Sequence, residues 1–207
     1  MAKVKICGVT NLEDALAAIF LGADALGFVF YKNSPRYIAP ERARNIIKII
    51  PPNIMKIGVF VSAKEGTIKR IARSCRLKAL QFHGNESLDF CRKFNGYKVI
   101  KAFRIGNKIG LKDIKRYRVY AYLFDTYVKS KVGGTGKRFN WRLIKDIREK
   151  IKQPIFLSGG LDIKNVKKAI RLIRPDWVDV SSGVEIKPGE KDKNKVRKFI
   201  ELAKGGR

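Results

Sequence analysis

"KIGVFVSAKEGTIKRIARSCRLKALQFHG", residues 56–84, contains a whole structural cycle. It runs from an apolar strand-like stretch (56–60) through a polar turn and a helical pattern (64–74) to a second apolar run, "ALQF" (79–82). Two such runs separated by a helix read as parallel strands joined by a right-handed crossover, not as a hairpin. The cycle repeats in both directions. Toward the N-terminus lie "VKIC" (4–7) and "ALGFVF" (25–30). Toward the C-terminus lie "KVIKAF" (98–103), "AYLFD" (121–125), "PIFLS" (154–158) and "WVDVS" (177–181), each followed by a helix candidate. Eight strand–helix units in 207 residues predict a single domain, residues 1–207, closed as a (β/α)8 TIM barrel at the short end of its class. An open doubly wound sheet is the alternative.

Composition narrows the setting. With 45% hydrophobic residues the chain has enough apolar surface for one sizeable core. No charged leader precedes an apolar segment, and no stretch approaches the roughly 18 apolar residues of a membrane span, so a cytoplasmic protein without a membrane partner is expected. Cys7, Cys75 and Cys91 are few, odd in number and without metal-ligand spacing. They argue for a reducing compartment and against a disulfide framework or a metal site.

The balance of 46 Lys+Arg against 18 Asp+Glu gives a formal charge of +28. Nucleic acid is the default suspicion, yet the cations scatter along helix faces such as "IKRIARSCRLK" (68–78), and the aromatics fall in core runs such as "GFVF" (27–30). A small anionic substrate, steered by the field, is the expected partner; no specific nucleic acid is.

In such a barrel the chemistry sits at the C-terminal ends of the strands. Alternation along the first strand turns Val4 and Ile6 toward helices, and Lys5 and Cys7 inward. Cys7 therefore ends its strand facing the mouth. Lys5, about 6–7 Å along the same face, is expected to favour a thiolate able to act as base or nucleophile; the competing reading is a small buried apolar residue. The sixth strand ends at Asp125, a carboxyl able to hold or give a proton over the mouth, or merely to cap the loop that follows. Within that loop "GGTGKR" (133–138) departs from a nucleotide-binding P-loop, with Lys131 where the first glycine belongs and Arg138 in place of Ser/Thr. A mobile loop closing over substrate fits better.

Strands seven and eight end in "LSGGL" (157–161) and "VSSGVE" (180–185), two small-residue turns suited to a phosphate between the last two loops. Arg36, after Pro35 in the second loop, has the fork geometry for a carboxylate. His83, the only histidine, ends strand four; local hydrogen bonding is its expected role, acid–base work the alternative. Lys5 and Asp179 join it as secondary candidates.

Taken in order, "KICGVT" (5–10), "GFVFYKNSPRYI" (27–38), "LQFHG" (80–84), "LFDTYVKSKVGGTGKRFNW" (123–141), "LSGGLDIKNV" (157–166) and "DVSSGVEIKPGEKD" (179–192) resemble the phosphoribosylanthranilate isomerase family of tryptophan biosynthesis over essentially the whole chain. The resemblance implies a (β/α)8 barrel and a cofactor-free Amadori rearrangement of N-(5-phosphoribosyl)anthranilate to 1-(2-carboxyphenylamino)-1-deoxyribulose 5-phosphate. It places the general base on Cys7, the general acid on Asp125 and the substrate carboxylate on Arg36. The phosphate falls on backbone around Gly159, Gly160, Ser181, Ser182 and Gly183. Asn140 stands where the family more often has Asp, a small change at a cap position.

Other readings stay open at this point: another phosphosugar isomerase, an aldolase using Lys101, a nucleic-acid module, or a second activity on a histidine-pathway aminoaldose. A monomer and a homodimer are equally compatible with the sequence.

Overall fold

The computed structural model describes residues 1–104, 110–125 and 141–205. Eight strands form the wall: β1 (Lys3–Cys7), β2 (Ala25–Val29), β3 (Met55–Phe60), β4 (Ala79–Phe82), β5 (Lys98–Arg104), β6 (Ala121–Asp125), β7 (Ile155–Ser158) and β8 (Trp177–Val180). Between them run α1 (Leu12–Phe20), α2 (Pro40–Ile49), α3 (Glu65–Ser74), α4 (Leu88–Arg92), α5 (Leu111–Arg116), α6 (Trp141–Glu149) and α7 (Val166–Ile173). After β8 come a 3-10 turn (Ser182–Val184), a hairpin of β9 (Glu185–Lys187) and β10 (Glu190–Lys191), and the closing α8 (Lys193–Lys204). The strands are parallel, and β8 returns to β1 through Lys5↔Asp179 and Ile6↔Val180, which closes the ring and removes the open-sheet alternative.

Local chemistry sets the element ends. Asn11 accepts from Asp14 N at 2.8 Å to start α1, and Asp192 accepts from Asn194 N and Lys195 N to start α8. Pro40 opens α2, where its missing N–H costs nothing. The sequence pattern suggests a longer helix over 86–94 than α4 provides. Glu86 is drawn inward to Lys101 at 2.9 Å, so Ser87 becomes the cap and only five residues are helical. Such short helices help a small chain complete the ring.

The barrel interior is layered. Ala25, Ile57, Ala79, Ile100, Ala121, Leu123, Phe156 and Trp177 plug its N-terminal end. Phe156 and Trp177 stack there at 4.8 Å, a contact worth about 0.5–1.5 kcal/mol beyond area burial. Above the plug lie the buried polar groups Lys5, Gln81 and Asp179. Above these, Cys7 packs with Val29 and Val59 at the mouth. Outward-facing residues such as Val4, Ile6, Leu80 and Val178 meet the helices in the main core. The alternation read from the first strand is therefore correct.

Candidate active site

Cys7 ends β1 with its thiol turned into the barrel, and Lys5 Nζ donates to Cys7 Sγ at 3.4 Å. The expected thiolate does not follow at neutral pH. Burial pushes the thiol above its ordinary value, and this outweighs the Lys5 charge that favours ionisation; the nearby Asp179 carboxylate adds to the upward push. Room for both side chains comes from Gly27, their neighbour on β2. A Cβ at that position would lie 2.7 Å from Cys7 Sγ and 2.9 Å from Lys5 Cε.

Lys5 is the hub of the polar layer. Its ammonium lies 3.2 Å from Asp179 Oδ1 and donates to Gln81 Oε1 at 2.6 Å. Burial works to neutralise Lys5, but Asp179 and Cys7 hold its pKa above the ordinary 10.5. Asp179 Oδ2 also accepts from Ser158 Oγ at 3.2 Å, which ties β8 to β7. On the far side, Gln81 Nε2 meets His83 Nδ1 at 2.8 Å, and His83 Nε2 meets Asp125 Oδ2 at 3.0 Å. One hydrogen-bonded chain thus runs from Cys7 through Lys5, Gln81 and His83 to Asp125. His83 bonds locally, as expected, and its local partner is the other candidate for chemistry.

Arg36 projects from the loop after β2 into an ion pair. Its Nε lies 2.9 and 3.0 Å from the two oxygens of Glu185, and one terminal nitrogen lies 2.6 Å from Oε2. Burial opposes charge on Glu185, yet hydrogen bonds and charges from Arg36 and Lys191 win and hold its carboxyl below the ordinary 4.5. Lys191 Nζ donates both to Glu185 Oε1 at 2.7 Å and to Cys7 O at 2.6 Å, so the hairpin braces the end of β1. Gly8, at φ 74°, lets Arg36 pass: a Cβ there would sit 2.6 Å from Arg36 Cδ. Beside it, Ser181 Oγ is buried with no hydrogen-bond partner among the described residues.

The two small-residue turns meet at the same end. Gly159 and Gly160 both take left-handed φ, 88° and 67°, which favours glycine at this turn. Asn165 Nδ2 donates to Gly160 O at 2.8 Å and frames the loop. Gly183 touches it: a Cβ there would lie 2.0 Å from Leu161 O. The glycine-rich stretch 133–138 and Asn140 lie outside the described residues.

A barrel with a thiol on β1, a carboxyl on β6, an arginine after β2 and paired small-residue turns after β7 and β8 can be compared with known proteins. The family model described as N-(5'phosphoribosyl)anthranilate (PRA) isomerase matches residues 4–202. The chain belongs to the phosphoribosylanthranilate isomerase family. It is an isomerase of tryptophan biosynthesis.

Relatives in this family agree over full length. The isomerase of Trichlorobacter lovleyi is 50% identical over 204 residues, covering 99% of this chain and 98% of that protein. A solved structure of a phosphoribosylanthranilate isomerase in complex with reduced 1-(o-carboxyphenylamino)-1-deoxyribulose 5-phosphate is 44% identical, with TM-score 0.87 and coverage of 99% and 100%. A third structure, of monomers generated from the dimeric Thermotoga maritima isomerase, is 42% identical, with TM-score 0.86 and the same coverage.

Against this family, the aldolase reading loses its lysine. Lys101 shares the outward face of β5 with Val99 and Phe103 and is locked to Glu86, while Ile100 and Ala102 face the interior. Lys5 does face inward, but its raised pKa is the opposite of what a Schiff-base nucleophile requires. Sequence reasoning missed Gln81, Glu185, Lys191 and Gly27. A glycine inside a strand pattern was a readable signal for Gly27; the other three make contacts 76 to 184 residues apart, which no local pattern carries.

Proposed function

We propose that Cys7 is the general base and Asp125 the general acid of the rearrangement, that Arg36 receives the anthranilate carboxylate, and that backbone around Gly159, Gly160, Ser181, Ser182 and Gly183 receives the phosphate. The observation that carries this reading is the hydrogen-bonded chain joining Cys7 to Asp125, which holds two proton-transfer groups rigidly at the mouth.

Ring opening begins when Asp125 delivers a proton to the furanose oxygen while the aniline nitrogen pushes electrons into C1, breaking the C1–O bond and leaving a Schiff base. The reactive form is the minor ionised fraction of Cys7, whose thiol proton has passed to solvent before substrate closes the mouth. This thiolate then takes the C2 proton, and the C2–H electrons neutralise the iminium to give an enolamine that tautomerises to the ketose. Lys5 stabilises that thiolate at the moment it is needed. Glu185 holds one edge of the Arg36 fork, so the guanidinium is fixed before substrate arrives and retains donors for a carboxylate. Ser181 Oγ, without a hydrogen-bond partner among the described residues, borders Gly8 as Arg36 does, and a substrate oxygen there would satisfy it.

Partner and setting follow. The substrate is a small anion carrying phosphate and carboxylate, and the buried free thiols suit the cytoplasm. Among the described residues no helix is long and apolar enough to cross a membrane. The dimeric Thermotoga maritima relative favours a homodimer over a monomer. Nucleic acid is not a specific partner. The cationic groove of about 660 Å3 lined by Arg44, Lys48, Lys56, Arg76, Lys78 and Lys98 lies at the N-terminal ends of β3–β5, opposite the mouth, and its contacts with RNA should weaken steeply with salt. The deciding experiment mixes purified protein with freshly made phosphoribosylanthranilate and follows loss of anthranilate fluorescence. Turnover by wild type, lost in both Cys7→Ala and Asp125→Asn, supports the assignment; near-normal turnover by either variant removes that residue from its role.

A further inference from the structure

Gln81 is almost wholly buried inside the barrel on β4, out of line with the mouth, yet it touches both halves of the catalytic chain. Its amide offers one acceptor atom and one donor group. The Lys5 ammonium has donors only, so the atom 2.6 Å from Lys5 Nζ has to be the amide oxygen. The amide nitrogen then faces His83 Nδ1 at 2.8 Å and can only donate to it. An Nδ1 that accepts cannot also carry a proton in that bond. The neutral ring therefore bears its hydrogen on Nε2, and Nε2–H points at Asp125 Oδ2, 3.0 Å away.

We infer that Gln81 is a positioning residue that fixes the tautomer of His83, so that Nε2–H is donated to Oδ2 of Asp125 and holds that carboxyl in its orientation. The alternatives are excluded by the same contacts. A flipped amide sets N–H against ammonium N–H at Lys5, and an Nδ1–H tautomer sets N–H against N–H at Gln81 while presenting a bare Nε2 to the carboxylate. Direction thus propagates from one lysine, through an amide with no titration of its own, to an imidazole and a carboxyl. Lys5 also donates to Cys7 Sγ, so a single buried ammonium orients both candidate proton-transfer groups. The catalytic consequence rests on Asp125 acting as the acid; the tautomer does not.

The chain contains a single histidine, so selective 15N labelling of histidine gives one resonance for each ring nitrogen without assignment by mutation. In folded wild-type protein at neutral pH, Nε2 should show the protonated-type shift and Nδ1 the unprotonated-type shift. Gln81→Glu exchanges the donor for an acceptor and should pull a proton onto Nδ1. Gln81→Leu should mix the tautomers and lower kcat by roughly 10- to 100-fold with KM within about threefold, the pattern of a misdirected group and not of lost binding. A wild-type ring protonated on Nδ1 overturns the inference. So does a folded Gln81→Leu protein that keeps both the Nε2–H tautomer and wild-type kcat. Should Gln81→Leu fail to fold, the wild-type spectrum and Gln81→Glu still decide. If the tautomer and its response behave as stated while Asp125→Asn stays fully active, the acid assignment fails and the fixing of the tautomer stands.

Discussion

The Arg36 guanidinium is gripped edge-on by Glu185, with Nε at 2.9 and 3.0 Å from the two carboxylate oxygens and a terminal nitrogen at 2.6 Å. Two residues 149 positions apart thereby fix the direction of the group assigned to the substrate carboxylate. Arg36→Ala is expected to weaken a reduced product analogue by roughly 10- to 100-fold, the range for a charged hydrogen bond. An analogue lacking the carboxylate should bind the variant nearly as well as wild type. Equal losses for both analogues remove Arg36 from that role.

Glu185 also predicts a pH dependence of stability. Its carboxyl titrates lower in the folded protein than the ordinary 4.5, so the folded state binds its proton less readily than the unfolded chain. The stabilisation is complete above the unfolded value and is lost as pH falls through the folded one. Thermal melts of wild type and Glu185→Gln should therefore differ most near pH 7, and the gap should close as pH falls below the ordinary 4.5 and on through the lowered folded value. A Tm gap that widens on acidification contradicts the pairing.

Gly27→Ala tests how tightly the thiol is placed. The added methyl would lie 2.7 Å from Cys7 Sγ, closer than real contacts allow, and the neighbouring backbone is strand on both sides. Either Cys7 or Lys5 must shift, and kcat should fall by about 10²-fold, the scale for a misplacement near 1 Å. The measurement is steady-state turnover alongside a circular-dichroism melt. A folded protein with wild-type kcat shows that the position of the thiol is not critical.

Lys5→Met leaves the Asp179 carboxylate buried without its cation, and the loss should be about 3–5 kcal/mol by denaturant unfolding. Because Lys5, ahead of Lys191, opposes the upward push on the Cys7 thiol, the kcat/KM limb that the proposal assigns to Cys7 should move to higher pH. Adding Asp179→Leu should recover most of the stability without recovering activity. Recovery of both reduces the pair to packing.

The fold was legible because its signal is local and repeated. Each strand run, such as "ALQF" (79–82) or "AYLFD" (121–125), carries enough apolar residues to mark itself, and the structure places both runs at those bounds. The positions of Cys7 and Asp125 were legible for the same reason, as polar groups ending apolar runs. The hairpin of β9 and β10 was not, since its strands of three and two residues are too short to show a period. The ionisation of Cys7 was misread because a strand spacing reports that Lys5 is near but not that burial outweighs it. Gln81 was hidden inside a strand run that reads as core; only the assembled barrel sets its amide between an ammonium and an imidazole.

The division of labour between Cys7 and Asp125 is the central claim, and a primary kinetic isotope effect with substrate deuterated at C2 tests it most directly. Cys7→Ser supplies a poorer base, so C2 proton removal should become limiting and the effect should grow above that of wild type. Asp125→Asn cannot give a carboxyl proton, so ring opening should become limiting and the effect should shrink toward unity, while both variants lose roughly 10²–10⁴-fold in turnover and still bind a product analogue. An effect that grows in Asp125→Asn, or one that is unchanged in Cys7→Ser, would contradict the assignment of base to the one and acid to the other.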